Sequence, residues 1–330
     1  MSDDRVDEGR ARDAGDVSYD DGFSGEQGPP YAALYDAIER VIPGSFVRDL
    51  GVIFHYTDLE GLLGILQSRG FWLSDARFMN DSEELYNGRR IAAGVIEAYT
   101  DRLPRDGYRE AVAEAGRRIR GDEAAKVYFS SFCMDGDLLE QWRAYAINGK
   151  GVSIGFDLGG GNLRHFQKLP TLSVHKVVYD DALKREVIRI ILDRYGQSYA
   201  RETGRRAGDE LARDYCRELV GMASYFSCFF KNAAFATEKE VRLVATGDVA
   251  TRFSRMHFRV SKGSVVPYVC SNEVVAPRGG SGASEPLPVS RVIVGPTSNQ
   301  DMMVTGLREF FRHNGYDQDL VVRSRIPYRG

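Results

Sequence analysis

The chain has 330 residues, a hydrophobic fraction of 43% and a formal net charge of −3. Such a chain is long enough and apolar enough to bury a full core. The small net charge excludes a protein that binds nucleic acid through a strong overall positive field, although a local basic patch is compatible with it. Four dispersed cysteines without a C-x-x-C pair, and five scattered histidines, predict neither a disulfide framework nor a zinc site.

Residues 1–30 are predicted to form a disordered acidic tail. They contain nine acidic residues against three arginines and no Leu or Ile, so they cannot bury enough apolar surface to fold. They also lack the basic start and apolar core of a signal peptide. The most apolar stretch, residues 219–230, is too short to span a bilayer. We therefore expect a cytoplasmic protein with one folded domain over residues 31–330 and no membrane contact.

Hydrophobic periodicity predicts helices and strands that do not alternate regularly. The first third contains two strands (51–57 and 71–75) among four helices, one of which Thr57 is expected to cap. A strand (126–132), a short helix (136–146) and two further strands precede a mostly helical insertion over residues 181–233. The last third is rich in strands and ends with a helix (298–314) and a strand (320–328). This order favours an α+β fold with a mixed, mainly antiparallel sheet and helical insertions.

The stretch "ATEKEVRLVA", residues 236–245, reads as a strand that begins with two carboxylates. Because side chains alternate along a strand, Glu238, Glu240 and Arg242 are expected on one face. The other face would carry three core residues: Val241, Leu243 and Ala245. The polar face is either solvated or lines a cleft whose chemistry needs a carboxylate against a developing positive charge. Cleavage of a glycosidic bond is such chemistry.

Four other features are candidates for a ligand site, and each also has a structural interpretation. His55 ends an apolar strand, where it could bind a sugar hydroxyl or satisfy the turn. In "YFSSFC", Ser131 shares a face with Phe129 and Cys133 and could support a carboxylate or bond to the backbone. Trp142 and Tyr145 lie three apart on one helix and either pack in the core or stack on a ligand ring.

The fourth candidate is the helix start "NDSEEL", which concentrates polar and acidic residues. Capping and the helix dipole explain most of this pattern. A divalent-metal site is the less favoured alternative. The residues concerned are Asn80, Asp81, Glu83 and Glu84.

Several motifs in order resemble one bacterial family of unknown function. They include "FHYTDLEGLLGILQSRGFWLSDARFMNDSEEL", "SSFCMDGDLLEQWRAYA", "GVSIGFD", "EKEVRLV", "VIVGP" and "SRIPYR". The resemblance extends from about Val52 to Tyr328, which is nearly the whole chain after the acidic tail.

The order of His55, Ser131 and "EKEVRLV" also resembles ADP-ribosyltransferases, which carry a His or Arg strand, a Ser or Tyr strand and a Glu-x-Glu strand. The resemblance implies that His55 binds a ribose of NAD and that Ser131 supports the catalytic strand. It implies that Glu240 holds the 2′-hydroxyl of the nicotinamide ribose and that Glu238 orients or deprotonates the acceptor. It covers four short elements, and the helical run before Glu238 and the "SSF" sequence depart from the toxin pattern.

These observations predict an ADP-ribosyltransferase-like enzyme with NAD as substrate, no metal, and a protein or nucleic acid as acceptor, possible settings being a toxin or phage defence. Its predicted NAD-binding residues are His55, Tyr56, Ser131, Trp142, Tyr145 and Arg242. Hydrolysis of NAD is a close variant. The main alternative is a non-enzymatic module that binds a nucleotide or nucleic acid. A metal-dependent nuclease that uses Asn80, Asp81, Glu83 and Asp135 is the third hypothesis.

Overall fold

The structure is a computed structural model in which nine segments are described: 31–44, 50–78, 82–121, 127–159, 161–166, 172–246, 255–261, 263–274 and 285–327. The predicted acidic tail lies outside these segments, as do Asn80 and Asp81. The side chains of Glu83 and Glu84 are likewise outside the description. The predicted metal and nuclease hypotheses that depend on these residues therefore stay predictions.

The described residues form eight α-helices and ten β-strands. The helices are α1 (Tyr31–Val41), α2 (Leu59–Ser68), α3 (Ser82–Thr100), α4 (Gly107–Arg120), α5 (Leu139–Tyr145), α6 (Asp181–Glu202), α7 (Gly208–Ser227) and α8 (Gln300–His313). The strands are β1 (Val52–Thr57), β2 (Trp72–Asp75), β3 (Val127–Cys133), β4 (Val152–Asp157), β5 (Leu172–Lys176), β6 (Glu240–Thr246), β7 (Met256–Ser261), β8 (Ser264–Cys270), β9 (Val289–Val294) and β10 (Val321–Arg323). None of these eight helices combines the length and apolar character needed to cross a bilayer.

All ten strands join one open sheet, and every pairing between them is antiparallel except that of β9 with β10. Along the chain, helices and strands do not alternate one by one, because several helices or several strands follow one another. The predicted α+β class with a mixed, mainly antiparallel sheet is therefore confirmed.

The sheet divides at β3, and this division is called the fork. One edge of β3 pairs with β6 along its whole length, from Val127 to Cys133. The other edge is shared: its end pairs with β1 through Phe54 and Cys133, whereas its beginning pairs with β2. One branch continues as β1, β4, β9 and β10, and the other as β2, β8 and β7. Between these two pairings, the backbone around Ser131 pairs with neither β1 nor β2, so side chains can reach it on this edge.

The sheet separates two large hydrophobic cores, and a third, small cluster surrounds Trp142. Helices α1, α3, α4, α6 and α7 supply most of the first, the five-helix core, which also takes Phe129 and Val244 from the sheet. Helices α2 and α8 supply the second, the two-helix core, together with the opposite faces of the same strands. Val241, Leu243 and Ala245 all lie in the two-helix core, as their alternation predicted.

Three local predictions differ from the structure. Asp58, and not Thr57, caps α2, since its carboxylate accepts a 2.6 Å hydrogen bond from the backbone N–H of Gly61 while Thr57 still pairs with β4. The helical run after residue 181 is two helices, which end at Ser227. The last strand is shorter than predicted, because it pairs with β9 only from Val321 to Arg323.

Candidate functional site

The two glutamates of "EKEV" do not lie on one strand face, as the alternation predicted. Glu238 ends a 3₁₀ helix (Ala233–Glu238), and Lys239 follows in the left-handed conformation with φ 47°. Strand β6 begins only at Glu240. The turn at Lys239 nevertheless brings the two carboxylates together, because both accept hydrogen bonds from the ammonium group of Lys231.

Glu240 is the centre of a buried set of polar groups that we call the carboxylate network. Its Oε1 accepts a 2.6 Å bond from Ser131 Oγ and a 2.7 Å bond from Arg242 Nε. Its Oε2 accepts a 3.0 Å bond from Arg242 Nη2 and a 2.9 Å bond from Lys231 Nζ. Glu240 is 6% exposed and Arg242 is 2% exposed. Each carboxylate oxygen therefore already accepts two hydrogen bonds inside the protein.

The network keeps Glu240 ionised. Burial by itself raises the pKa of this carboxyl group, but the charge and hydrogen bonds of Arg242 oppose it. Lys231 and Ser131 act in the same direction as Arg242. The net effect lowers the pKa of Glu240 from 4.5 to about 2. At neutral pH, Glu240 is therefore a fixed negative charge that is buried within the protein.

The two cations of the network are also held by aromatic and backbone groups. Arg242 Nη1 donates to the carbonyl of Cys228 at 2.5 Å, and its guanidinium lies 4.7 Å from the centre of the Phe129 ring. Lys231 lies 5.0 Å from the ring centre of Phe235. The sequence interpretation did not include Lys231. The signal available for it was a charged residue at the end of the apolar run "YFSCFF".

Glu238 is the member of the network that reaches the surface. Its side chain is 16% exposed; one oxygen accepts a 2.6 Å bond from Lys231, and the other meets the Tyr145 hydroxyl at 3.5 Å. Tyr145 is 40% exposed and Phe235 is 37% exposed. A partly exposed carboxylate with one exposed aromatic ring beside it, and another beside its partner Lys231, can bind a ligand that presents both hydroxyl groups and a flat ring.

Trp142 and Tyr56 do not reach this surface, although both were predicted to bind a nucleotide. Trp142 is 0% exposed, and its ring packs edge-on against Tyr56 with centroids 4.9 Å apart. The Tyr56 hydroxyl donates to the carbonyl of Asp135 and accepts from the backbone N–H of Leu138. The structural interpretation therefore holds for Trp142, and the predicted aromatic face of α5 divides into a buried Trp142 and an exposed Tyr145.

His55 lies on the other side of the sheet from Glu240. Phe54 pairs directly with Cys133, so Phe54 shares the face of Cys133 and Ser131, and the next residue points the opposite way. The His55 ring accordingly contacts Phe132, with centroids 5.4 Å apart. Its Nδ1 makes a 2.8 Å hydrogen bond to the carbonyl oxygen of Ser131, at the fork. His55 and Glu240 therefore do not contact each other. Both are hydrogen-bonded to Ser131, His55 to its backbone carbonyl and Glu240 to its side-chain hydroxyl.

The charge of His55 follows from this position. Burial lowers its pKa below 6.5, and the nearby cation Arg259 adds to this, while the hydrogen bond to Ser131 and the charge of Asp58 oppose it. A neutral imidazole whose Nδ1–H donates to the Ser131 carbonyl has an Nε2 lone pair that can accept a hydrogen bond.

Comparison with known proteins supports one part of the sequence interpretation. Residues 141–243 match the model of a family described as a protein of unknown function, DUF2971. The resemblance to an uncharacterised family is therefore supported over this range, which includes Lys231, Glu238, Glu240 and Arg242 of the network. No curated protein and no solved structure matches the chain. The resemblance to ADP-ribosyltransferases remains a prediction.

Proposed function

We propose that the protein cleaves the nicotinamide–ribose bond of NAD and transfers ADP-ribose to a protein or nucleic acid acceptor. The observation that carries this proposal is the hydrogen bond between Ser131 and Glu240, on adjacent strands, with Glu238 held beside them by Lys231. Cleavage of this bond makes the ribose carbon oxocarbenium-like, and a fixed carboxylate opposes that charge. An anionic Glu240 with a pKa of about 2 meets this requirement at every physiological pH.

The proposal assigns different tasks to the two glutamates. Glu240 would hold the ribose 2′-hydroxyl, which must replace one of the four hydrogen bonds to the carboxylate. The bond from Lys231 is the replaceable one, since Lys231 also binds Glu238. Glu238 is more exposed and would orient or deprotonate the acceptor. Tyr145 and Phe235 would then contact the nicotinamide ring from the surface.

The geometry gives less support to a non-enzymatic binding module. That hypothesis relied on five side chains to hold a nucleotide or nucleic acid: His55, Trp142, Tyr145, Arg143 and Arg242. Trp142 and Arg242 are buried among protein groups, whereas Arg143 and Tyr145 are exposed. A role in toxin action or phage defence remains part of the proposal only as a setting for the enzyme.

The experiment is nicotinamide release from NAD, followed by chromatography, with and without cell lysate as a source of acceptors. We expect release by the wild type and a loss on the order of 100-fold or more in Glu240→Gln. We expect Glu238→Gln to keep hydrolysis of NAD but to lose most transfer to lysate components. Glu110→Gln, an exposed substitution on α4, is the matched control and should not change either rate.

A control of folding is essential for Glu240→Gln, because this change leaves the buried Arg242 without its carboxylate and leaves Lys231 with Glu238 alone. Ser131→Ala removes only one neutral donor and should lower release with a smaller effect on the melting temperature. The proposal is contradicted if folded wild-type protein releases no nicotinamide under either condition. It is also contradicted if Glu240→Gln retains the wild-type rate.

A further inference from the structure

Arg259 extends from the second branch of the sheet towards the fork. It lies on β7, two strands away from β2, and its Nη2 donates a 2.9 Å hydrogen bond to Ser74 Oγ on β2. Ser74 pairs directly with Phe129 of β3, so its side chain shares the face that carries Ser131. Residues two apart on one strand face are about 7 Å apart. The guanidinium group therefore lies beside the same face of the sheet as the carboxylate network.

The guanidinium of Arg259 is half-buried and lacks a carboxylate partner. No Asp or Glu oxygen among the described residues lies within 4.0 Å of it, and its buried Nε–H has no hydrogen-bond acceptor there. Arginines that are withdrawn from water are ordinarily paired with an anion, because an uncompensated buried cation is costly. Arg242, in contrast, is fully occupied by Glu240.

The acidic group with an electrostatic effect on Arg259 is Asp58, which raises the pKa of the Arg259 guanidinium without contacting it. The Asp58 carboxylate is engaged as the N-cap of α2 through Gly61. Among the described residues, Asp58 therefore does not replace an anion bound directly by Arg259.

We propose that Arg259, held beside Ser74 on the face of the sheet that carries Ser131, forms a binding site for a phosphoryl oxyanion. A guanidinium donates two parallel hydrogen bonds to phosphate oxygens, and the Nε–H and Nη2–H of Arg259 lie on one edge of its planar group. If the proposed function is correct, the anion is the diphosphate of NAD, and its nicotinamide ribose reaches the network on the same face.

The test measures binding directly and does not depend on turnover. Isothermal titration calorimetry is carried out with inorganic diphosphate, ADP-ribose and adenosine, for wild type, Arg259→Gln and Arg291→Gln. Arg291 is an exposed strand arginine on β9, in the other branch, and is the matched control. We expect Arg291→Gln to bind diphosphate and ADP-ribose with the same affinities as the wild type. We expect Arg259→Gln to bind both on the order of 10- to 100-fold more weakly, with unchanged melting temperature.

The outcomes separate this inference from the proposed function. Equal binding of diphosphate and ADP-ribose by Arg259→Gln and wild type overturns the site, even if NAD is cleaved. Absence of binding by the wild type overturns it as well. Binding of diphosphate through Arg259 without any cleavage of NAD supports the site and contradicts the enzyme. If the wild type binds ADP-ribose but not diphosphate, the site is supported when Arg259→Gln weakens the binding of ADP-ribose and overturned when it does not. Adenosine should bind neither the wild type nor the two variants.

Discussion

At the scale of single residues, the main feature is a buried carboxylate whose negative charge is compensated by neighbouring cations. Glu240 is withdrawn from water, which costs free energy, and this cost is offset by two cations and one hydroxyl in hydrogen-bond contact. A catalytic carboxylate must also be held in place, so the structural role of the network does not compete with the proposed chemical role.

The low pKa of Glu240 predicts a specific loss of stability in acid. Because its folded pKa of about 2 lies below the 4.5 of the unfolded chain, the contribution is present above pH 4.5. It is lost as the pH falls towards 2, and the shift corresponds to about 3 kcal/mol. We expect the difference in free energy of unfolding between wild type and Glu240→Gln to shrink by about 2 kcal/mol between pH 5 and pH 2.5, since the last part is lost only below pH 2. Urea denaturation at several pH values measures it.

This comparison cancels the titration of the other carboxyl groups, which both variants share. A difference between wild type and Glu240→Gln that stays constant over the same range would mean that Glu240 titrates normally. The carboxylate network would then contribute no pH dependence.

At the scale of elements, the short helix α5 depends on Asp137. One oxygen of Asp137 accepts from Trp142 Nε1 at 2.8 Å and from Ser324 Oγ at 2.5 Å. The other accepts from the backbone N–H of Arg325 at 2.8 Å. Asp137 thus joins α5 to the segment that follows β10. Seven residues form too short a helix to be stable alone, so these contacts hold Tyr145 near Glu238.

We expect Asp137→Ala to lower the free energy of unfolding by about 2 kcal/mol, because three hydrogen bonds to a carboxylate are lost at once. Amide hydrogen exchange should accelerate in residues 139–145 and 321–327 and not in α4. Asp135→Ala is the control. Its carboxylate makes only a 3.2 Å bond to the backbone N–H of Asp137 and a 3.5 Å contact with Lys239, and its loss should cost less than about 1 kcal/mol. Equal effects of the two substitutions would show that Asp137 does not anchor α5.

The elements themselves were largely predictable, whereas their contacts were not. Apolar periodicity is a local property, and it located β1, β3, α5 and α8 within a few residues. The place where β6 begins was not predictable, because alternation alone cannot show that Lys239 takes a left-handed conformation. Lys231 and Arg259 were missed for a related reason. They lie nine and nineteen residues from Glu240 in the chain, and their contacts with Glu240 and Ser74 depend on the tertiary structure.

At the scale of the whole molecule, one sheet supports two cores. Neighbouring residues of β6 belong to different cores, since Leu243 lies in the two-helix core and Val244 in the five-helix core. Strand β3 is shared in the same way, with Phe129 on one face and Phe132 on the other. Neither core can be lost without exposing one face of these central strands. The described part of the chain should therefore unfold as one cooperative unit.

Two adjacent substitutions test this expectation. We expect Leu243→Ala to cost about 2 to 5 kcal/mol and Val244→Ala about 2 kcal/mol, because each removes buried methyl groups from a close-packed site. For both variants, the urea transitions followed by far-ultraviolet circular dichroism and by tryptophan fluorescence should coincide. The fluorescence reports on Trp72, which lies on β2 in one branch of the sheet, and on Trp142, which packs against Tyr56 of β1 in the other branch. Two separated transitions in either variant would contradict a single cooperative unit.

The sequence by itself determined the α+β class, the bounds of most elements and the inward face of β6, because these depend on periodicity along a few consecutive residues. It also pointed to Glu238 and Glu240 as a pair and to Ser131 as a partner on a neighbouring strand. Only the tertiary structure decided that Glu240 is surrounded by Arg242 and Lys231, and that Trp142 is buried. It likewise decided that His55 and Glu240 lie on opposite faces. Such facts depend on the pairing of strands far apart in the chain, which local patterns do not encode.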